Sequence, residues 1–315
     1  MMKRIDIILP VYNEEEGIAS FHAALVSVLD TMADRYRFHL IYVLDRSRDR
    51  SFGILKEVAE RHPRTTVIHL SRRFGHQMSL VAGIDRSEGD AAIMMDADLQ
   101  HPPEVIPRLL EKLEEGYDIV HTVRKYHESI GSLKQWASPF FYRLQNALSP
   151  VDIQQGMADF RLISRKVVCV FQTSVREQNQ FLRGLFRWVG FRSAIITFVS
   201  PARTVGATKY NLSRLLTFSI TGITSFSKIP LRIATLLGFA MSTLSALYAV
   251  WLLFELVHVG QFPPGYASLI LVVLFIGGLQ LTVLGIIGEY LGSVFDEVKR
   301  RPLYIIDEIV EGGRP

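Results

Sequence analysis

The sequence predicts an open α/β domain built on a parallel sheet, followed by two C-terminal transmembrane helices. In the first half, short β-rich runs alternate with segments whose apolar residues recur at helical spacing, which is typical of a parallel sheet with crossover helices. Towards the C-terminus, two long stretches carry no charge. With 315 residues, 49% of them hydrophobic, and a mean hydropathy of +0.21, the chain can form one sizeable core and still hold apolar segments that suit a membrane.

The elements of the α/β domain follow from local pattern. Five β-rich runs predict strands over residues 4–9, 38–44, 66–70, 91–95 and 117–123. Four amphipathic stretches between them predict helices over residues 15–32, 50–61, 77–87 and 103–115. Ligands of open α/β sheets collect at the carboxyl ends of the strands, and polar residues stand at several predicted strand ends. These are residues 10–14, Asp45, Asp96, Asp98 and Arg124.

Two acidic residues follow the fourth predicted strand. Asp96 and Asp98 cannot be buried there as free anions without a compensating cation, and Gln100 adds an amide oxygen. Such hard oxygen ligands predict a Mg²⁺ or Mn²⁺ site on Asp98 and Gln100 that leaves positions open for phosphates. The alternative is that the two carboxylates cap a helix that begins near Pro102. A metal at this edge would neutralise charge on a leaving nucleoside diphosphate, which favours a nucleotide-sugar as ligand.

The C-terminal third predicts membrane spans. Residues 233–254 and 266–288 contain no charged side chain, and at about 1.5 Å per residue each can cross a hydrocarbon layer of ~30 Å. Two buried helices of a soluble bundle are the alternative. The link over residues 255–265 has no Lys or Arg, whereas basic residues precede the first span and follow the second. The positive-inside rule therefore places both termini in the cytoplasm.

The predicted domain organisation has four parts. Residues 1–210 form the cytoplasmic domain, residues 211–230 an interfacial amphipathic helix, residues 231–290 the two spans and residues 291–315 a cytoplasmic tail. The interfacial helix is indicated by the alternation over residues 212–226, and residues 290–301 resemble a second such helix.

Charge and cysteine content narrow the functional classes. The net charge of +4 and the pI near 9.1 suit an anionic partner, and the clustering of basic residues beside the spans favours lipid over nucleic acid. No motif combining aromatic and basic residues indicates nucleic-acid binding. Cys169 is the single cysteine, which excludes an intramolecular disulfide and agrees with a reducing compartment. The N-terminal residues lack the apolar region of a signal peptide.

Five motifs in order carry a resemblance to a known family. They are P-V-Y-N-E at 10–14, L-D-R-S-R-D at 44–49, D-A-D-L-Q at 96–100, A-D-F-R-L at 158–162 and T-K-Y-x-L at 208–212. Together with the two C-terminal spans, the chain resembles the family-2 glycosyltransferases that load a sugar onto a polyprenyl phosphate. It is similar to the bactoprenol glucosyltransferases and the dolichol-phosphate mannose synthases.

The resemblance implies a GT-A (Rossmann-like) fold and an inverting transfer of one hexose from a nucleotide-sugar to a polyprenyl phosphate. Glucose from a UDP donor, undecaprenyl phosphate as acceptor and the bacterial inner membrane follow from the same likeness, while a homo-oligomer is left open. The implied donor residues are Pro10, Tyr12, Asn13, Glu14, Asp45, Asp96 and Asp98. The implied catalytic residues are Asp159, Asp96 and Arg161, and the implied acceptor-phosphate residues are Arg124, Arg161 and Lys209.

Several of these residues could have more than one role. A lipid phosphate monoester is largely dianionic at neutral pH, so Asp159 either acts as a base or orients Arg161 and the phosphates. The basic candidates could instead be solvated or face lipid headgroups. His76 either touches phosphate or caps a helix.

Two departures from the family pattern bear on function. Leu44 and Arg46 replace two positions of the usual D-D-G-S turn, which leaves donor contacts and base choice open. Gly184 follows Arg183 where processive relatives have the Trp of Q-x-x-R-W, which weighs against a processive polysaccharide synthase. A non-catalytic nucleotide-binding membrane scaffold is the second rival.

Overall fold

The computed structural model describes residues 2–125, 156–199, 229–259 and 265–313. Lys209 and nearly all of the predicted interfacial helix over residues 211–230 lie outside the described residues.

Within the described residues the chain forms eight strands and eight helices. The strands are β1 (Lys3–Val11), β2 (Tyr36–Leu44), β3 (Thr65–Leu70), β4 (Ala91–Met94), β5 (Ile119–Lys125), β6 (Met157–Ser164), β7 (Ser193–Val199) and β8 (Ile306–Glu311). The helices are α1 (Ile18–Asp30), α2 (Ser51–Arg61), α3 (His76–Arg86), α4 (Ile106–Glu114), α5 (Arg165–Thr173), α6 (Leu182–Trp188), α7 (Ile229–Val259) and α8 (Tyr266–Lys299). A 3₁₀ turn over Pro103–Val105 precedes α4.

The strands form one mixed sheet in the order β7-β5-β6-β4-β1-β2-β3-β8. The four neighbouring strands β4, β1, β2 and β3 are parallel, as the alternating pattern predicted, and β7 is parallel to β5. The predicted parallel sheet is confirmed for strands β1 to β5, and the structure adds β6, which lies antiparallel between β4 and β5, and β8, which lies antiparallel on β3, so the sheet is mixed. Strand β6 carries Asp159 and Arg161 among its buried residues, so it lacks the continuous apolar run that marks a buried strand in sequence.

Both faces of the sheet are covered by helices. Side chains of a strand alternate between faces, and in β1 Ile5, Ile7 and Leu9 join one apolar cluster while Ile8 joins the other. The first cluster includes residues of α1, α2 and α4, and the second includes residues of α3, α5 and α6. This three-layer arrangement buries the sheet and leaves the strand ends for function.

Helices α7 and α8 are long and apolar enough to cross a membrane. Their candidate spans, Ile229–Tyr248 and Phe275–Lys299, are only 6% and 0% buried within the described structure. Large apolar side chains such as Phe239, Leu247 and Leu281 are therefore exposed. A surface of this kind suits lipid better than water. Residues 290–299, predicted as a separate interfacial helix, instead continue α8 without a break, because nothing in that stretch stops a helix before Arg300 takes a left-handed conformation with φ of 47°.

The chain returns to the sheet after α8. Strand β8 pairs with the edge of β3, the backbone N–H of Ser71 donates to the carbonyl of Ile305 at 2.9 Å, and the Tyr304 hydroxyl donates to Asp85 at 2.7 Å. The predicted separate tail over residues 291–315 therefore needs correction, since part of it completes the α/β domain. The physical reason is the open edge of β3, whose unpaired backbone groups β8 satisfies.

Candidate active site

The candidate site lies at the carboxyl edge of the parallel strands. Asp45 follows β2, Asp96 follows β4, and Asp159 is the third residue of β6. Because β6 runs antiparallel to β4, with Met94 opposite Arg161, the first residues of β6 lie beside the end of β4. The antiparallel strand thus brings its own carboxylate to the edge where the parallel strands end.

Asp159 is the centre of a buried charge cluster. Its Oδ1 accepts from Arg161 at 3.0 Å and from Arg183 Nε at 3.0 Å, while its Oδ2 accepts from Arg183 Nη2 at 2.8 Å. Burial alone would raise the pKa of Asp159, but Arg183, His76 and Arg161 hold that pKa well below its usual range. A carboxylate held ionised by two guanidinium groups is a weak proton acceptor, which favours the orienting role for Asp159 over the base.

Arg161 supports Asp159 from the interior. Its side chain is only 1% exposed, its Nη2 also donates to the carbonyl of Ala158 at 3.1 Å, and its guanidinium lies 4.7 Å from the ring centroid of Phe186. This placement favours a supporting contact to Asp159. The predicted contact of Arg161 with an acceptor phosphate stays a prediction.

His76 connects the two acidic motifs. It begins α3, and its Nε2 lies 3.6 Å from Asp96 and 3.7 Å from Asp159. Burial works to lower the pKa of His76, but the carboxylates of Asp96 and Asp159 outweigh it and raise the pKa to about 9. His76 is therefore a cation at neutral pH and holds two carboxylates together that would otherwise repel each other.

The turn after β4 is shaped by its own polar groups. The backbone N–H of Asp96 donates to His101 Nδ1 at 2.8 Å, and that of Gln100 donates to Asp98 Oδ1 at 3.0 Å. Leu99 between them has a φ of 60°, a left-handed conformation that is uncommon for a leucine. His101 is buried, which lowers its pKa, so the neutral imidazole can accept the Asp96 N–H. The sequence analysis did not single out His101.

The predicted metal ligands fit a divalent ion completed by a substrate. Asp98 and Gln100 each carry a hard oxygen donor; Asp98 Oδ1 accepts the N–H of Gln100 at 3.0 Å, and Gln100 Oε1 accepts from Arg124 Nη1 at 2.9 Å. Among the residues that the structure describes, no group of three or more His, Cys, Asp and Glu side chains converges on a metal position. Mg²⁺ and Mn²⁺ commonly bind through one or two protein ligands plus substrate phosphates, so this donor set suits an ion that arrives with the donor.

The loops after β1 and β2 are tied together. The N–H of Asn13, which has a φ of 54°, donates to Ser47 Oγ at 3.0 Å, and the N–H of Arg48 donates to Asn13 Oδ1 at 2.9 Å. Glu14 N–H donates to Ser51 Oγ at 3.0 Å. The P-V-Y-N-E motif therefore builds a loop scaffold.

Asp45 binds the loop that leads into α3. Its carboxylate accepts the backbone N–H groups of Phe74 and Gly75, at 2.5 Å and 2.9 Å. The guanidinium of Arg73 in that loop lies 4.3 Å from the ring centroid of Tyr12, and Pro10 is buried in β1. Asp45 thus positions the loop that carries His76, and its predicted contact with a nucleoside stays a prediction.

The structure brings part of the predicted site together. Asp96 and Asp159 meet through His76, and Gln100 meets Arg124, while Lys209 lies outside the described residues. Arg183 is the residue that the sequence analysis undervalued. Its signal was the motif from Gln180 to Arg183, which was considered only as evidence against a processive enzyme.

Comparison with known proteins gives consistent results. The sequence profile of glycosyl transferase family 2 matches residues 6–171. An uncharacterized glycosyltransferase of Synechocystis is 40% identical over 309 residues, which cover 98% of this chain and 96% of the relative. The prophage-derived bactoprenol glucosyl transferase of Shigella flexneri is 37% identical over 310 residues, covering 98% of this chain and 99% of the relative.

Proposed function

Since the chain belongs to glycosyl transferase family 2 and is a glycosyltransferase with a GT-A-like fold, we propose a specific reaction for it. In this reaction the protein transfers a single hexose from a nucleotide-sugar to a polyprenyl phosphate. The proposed donor is UDP-glucose and the proposed acceptor is undecaprenyl phosphate. The similarity to a bactoprenol glucosyl transferase over nearly the full length of both chains supports this choice.

One observation carries the proposal. His76 lies 3.6 Å from Asp96 and 3.7 Å from Asp159, so the acidic turn after β4 and the charge cluster on β6 share one edge of the sheet. The acidic turn suits the diphosphate side of a donor, because Asp98 and Gln100 would hold a Mg²⁺ or Mn²⁺ ion there. Such an ion would supply charge neutralisation for the leaving nucleoside diphosphate.

The charge cluster suits a phosphate nucleophile. In the proposed reaction an oxygen of the lipid phosphate attacks the anomeric carbon, and the bond from that carbon to the diphosphate breaks on the opposite face. The configuration inverts, and the nucleoside diphosphate leaves with the electron pair. A phosphate monoester is largely dianionic at neutral pH, so no proton has to be removed. The low pKa of Asp159 agrees with a reaction that needs no base.

Cationic side chains complete the proposed site. Arg124, Arg161 and Lys209 are the proposed ligands of the acceptor phosphate. Arg124 is half-buried beside Gln100, so it can act where the two phosphate groups meet. Arginine offers two parallel N–H donors to a phosphate, which a lysine cannot do.

The proposed location is a bacterial cytoplasmic membrane. Helices α7 and α8 follow one another, and β8 returns the chain to the sheet that β1 began. If the two helices cross a bilayer, both ends of the pair must therefore lie on the side of the α/β domain. The basic residues Arg232, Lys299, Arg300 and Arg301 flank the pair, and this favours the cytoplasmic side.

The direct test is transfer of label from donor to lipid. The full-length protein in lipid nanodiscs is incubated with undecaprenyl phosphate, Mn²⁺ and a panel of nucleotide-sugars that each carry a radiolabelled sugar. We expect label in the organic phase with UDP-glucose. Absence of label with every donor would contradict the proposal and favour a binding scaffold. Label that stays in a water-soluble polymer would contradict it in favour of a processive synthase.

A further inference from the structure

The segment between α5 and α6, residues 174–181, is fixed to two helices, α3 and α8. Arg176 Nη1 binds Asp85 Oδ1 at 2.7 Å, which attaches the segment to the last turn of α3. Gln178 binds the end of α8. Immediately after the segment, the N–H of Leu182 donates to Gln77 Oε1 at 3.2 Å. The residue that follows is Arg183, so this segment determines where Arg183 stands.

The contact with α8 is made twice. The backbone N–H of Gln178 donates to Glu297 Oε1 at 2.6 Å, and its side-chain Nε2 donates to the carbonyl of Arg301 at 2.6 Å. Glu297 belongs to the last turn of α8, and Arg301 follows that helix. We call this pair of hydrogen bonds the α8 clasp. The clasp joins the end of a candidate membrane span to the segment that presents Arg183.

Arg183 and Arg161 hold the same carboxylate but differ in access. The side chain of Arg183 is 32% exposed and that of Arg161 is 1% exposed, while Asp159 between them is 7% exposed. A phosphate that approaches from solvent can therefore reach the guanidinium of Arg183. Asp159 holds that guanidinium with two hydrogen bonds, so it is oriented before a ligand arrives.

The charges around Asp159 favour an anionic ligand. Arg161, Arg183 and His76 surround Asp159, and Asp96 is the second carboxylate of the cluster. The two guanidinium groups of Arg161 and Arg183 outnumber the single carboxylate of Asp159 that they both bind. A phosphate dianion would be attracted to this position without displacing Asp159.

From these contacts we infer that Arg183 binds the acceptor phosphate and that the α8 clasp keeps Arg183 at a fixed distance from the membrane-spanning part of α8. The inference rests on the proposed function and deepens it. Arg183 would touch the substrate, whereas Gln178 and Glu297 would be positioning residues. A lipid phosphate is confined to the membrane surface, so a residue that binds it must be held at a fixed distance from that surface. The clasp connects the segment that carries Arg183 to α8, and α8 fixes that distance.

The test compares two acceptors in the full-length protein in nanodiscs. Undecaprenyl phosphate is confined to the bilayer, whereas farnesyl phosphate, which is short, reaches the site from solution. For Arg183→Gln we expect the KM for both acceptors to rise about tenfold or more, with the donor KM changed less than about twofold. Arg183→Lys keeps the charge but not the paired donors, and we expect it to restore part of the acceptor affinity.

The clasp has its own variants. Glu297→Ala removes the acceptor of the Gln178 N–H, and we expect the KM for undecaprenyl phosphate to rise about three- to tenfold while the KM for farnesyl phosphate stays near that of the parent. Glu297→Gln retains an acceptor oxygen and should restore the parent value. Asp296→Ala removes a neighbouring exposed carboxylate of α8 and is the matched control, with no change expected.

The outcomes separate this inference from the proposed function. If the parent protein transfers no sugar to undecaprenyl phosphate, the proposed function fails before any variant is compared. If the parent is active and Arg183→Gln leaves both acceptor KM values unchanged, the role of Arg183 is overturned. If Glu297→Ala raises the KM for both acceptors equally, the clasp is only a structural support, and its proposed role in holding Arg183 at a fixed distance from the membrane is overturned.

Discussion

The two halves of the sheet use their polar side chains in different ways. In the parallel half, strands β1 to β4, the polar side chains at the strand ends mainly accept backbone N–H groups: Asp45 holds Phe74 and Gly75, and Asn13 holds Arg48. In the mixed half, strands β5 to β7, Asp159 binds the guanidinium groups of two arginines. One half shapes loops for a ligand, and the other concentrates charge.

This difference between the two halves indicates which substitutions the site can tolerate. A backbone N–H that loses its acceptor costs about 1–3 kcal/mol, whereas a buried ion pair that loses one partner costs about 3–5 kcal/mol because a charge is left uncompensated. The same carboxylate-to-amide change should therefore be milder in the parallel half than in the mixed half. The proposed metal ligand Asp98 is the exception, since its carboxylate would act on the substrate through the bound ion.

The largest effect is expected at Asp98. Asp98→Ala removes the predicted charged metal ligand, and we expect transfer to fall about 10³-fold or more, since metal stabilisation of the leaving group is worth several kcal/mol. The protein should still fold, because the turn loses only the Gln100 N–H contact. Initial rates against Mn²⁺ concentration check this. Parent-like metal dependence in the variant would remove Asp98 from the metal site.

Asp159→Asn tests the mixed half. The variant leaves Arg161 buried with a weaker partner, so we expect transfer to fall about 10²-fold. The free energy of unfolding should fall by about 3–5 kcal/mol. Thermal unfolding and single-turnover transfer measure the two effects. Full stability with lost activity would show that Asp159 acts as a base instead of a structural centre for the arginines.

Asp45→Asn is the matched change in the parallel half. One amide oxygen can still accept one of the two N–H groups, so we expect a loss of about 1–2 kcal/mol in unfolding free energy and a donor KM raised about threefold. Calorimetric titration with UDP and donor kinetics provide the measurements. An effect as large as that of Asp159→Asn would erase the distinction between the two halves.

The smallest effect on stability at neutral pH is expected from two buried histidines, His22 and His121. Burial lowers the pKa of His22 to about 4 and that of His121 to about 3, so both are neutral in the folded protein at pH 7. Below pH about 6.5 the unfolded chain binds protons that the folded chain does not, and stability falls with falling pH until these folded-state values are reached. Between pH 7 and pH 5 each histidine should cost about 2 kcal/mol.

The variant His121→Phe isolates one of these contributions. Among the residues that the structure describes, neither ring nitrogen of His121 has a hydrogen-bond partner, so the replacement loses no such bond. We expect the fall in unfolding midpoint from pH 7 to pH 5 to be smaller in the variant than in the parent. An identical fall in both proteins would contradict the lowered pKa of His121, because a histidine with the same pKa in the folded and unfolded states contributes nothing to the pH dependence.

The comparison of the two halves also explains what the sequence could predict. Strands β1 to β5 were predicted to within a few residues because their alternation and apolar runs are local signals. Strand β6 was missed because Asp159 and Arg161 interrupt its apolar run, and strand β8 because its partner β3 lies far away in the chain. The end of α8 was predicted wrongly for a local reason, because no residue before Arg300 ends the helix.

The residues of the candidate site likewise divide into those that the sequence could predict and those that it could not. Motif residues that follow a strand, such as Asp96 and Asp98, could be proposed from spacing alone. His101 could not, because its role depends on a contact with Asp96 that no short motif encodes. Arg183 stands in a recognisable motif, but its contact with Asp159 is visible only in the structure. Asp45 shows the converse: its position at a strand end indicated a ligand contact, and the structure shows a carboxylate that holds the next loop.

The central claim is that one hexose is transferred to a lipid phosphate at the edge where the two halves meet. Mass spectrometry of the lipid fraction, after incubation of the full-length protein with UDP-glucose, undecaprenyl phosphate and Mn²⁺, tests it most directly. We predict a single new species heavier than the acceptor by one hexose residue. An unchanged acceptor, or a ladder of products with several hexoses, would contradict the account.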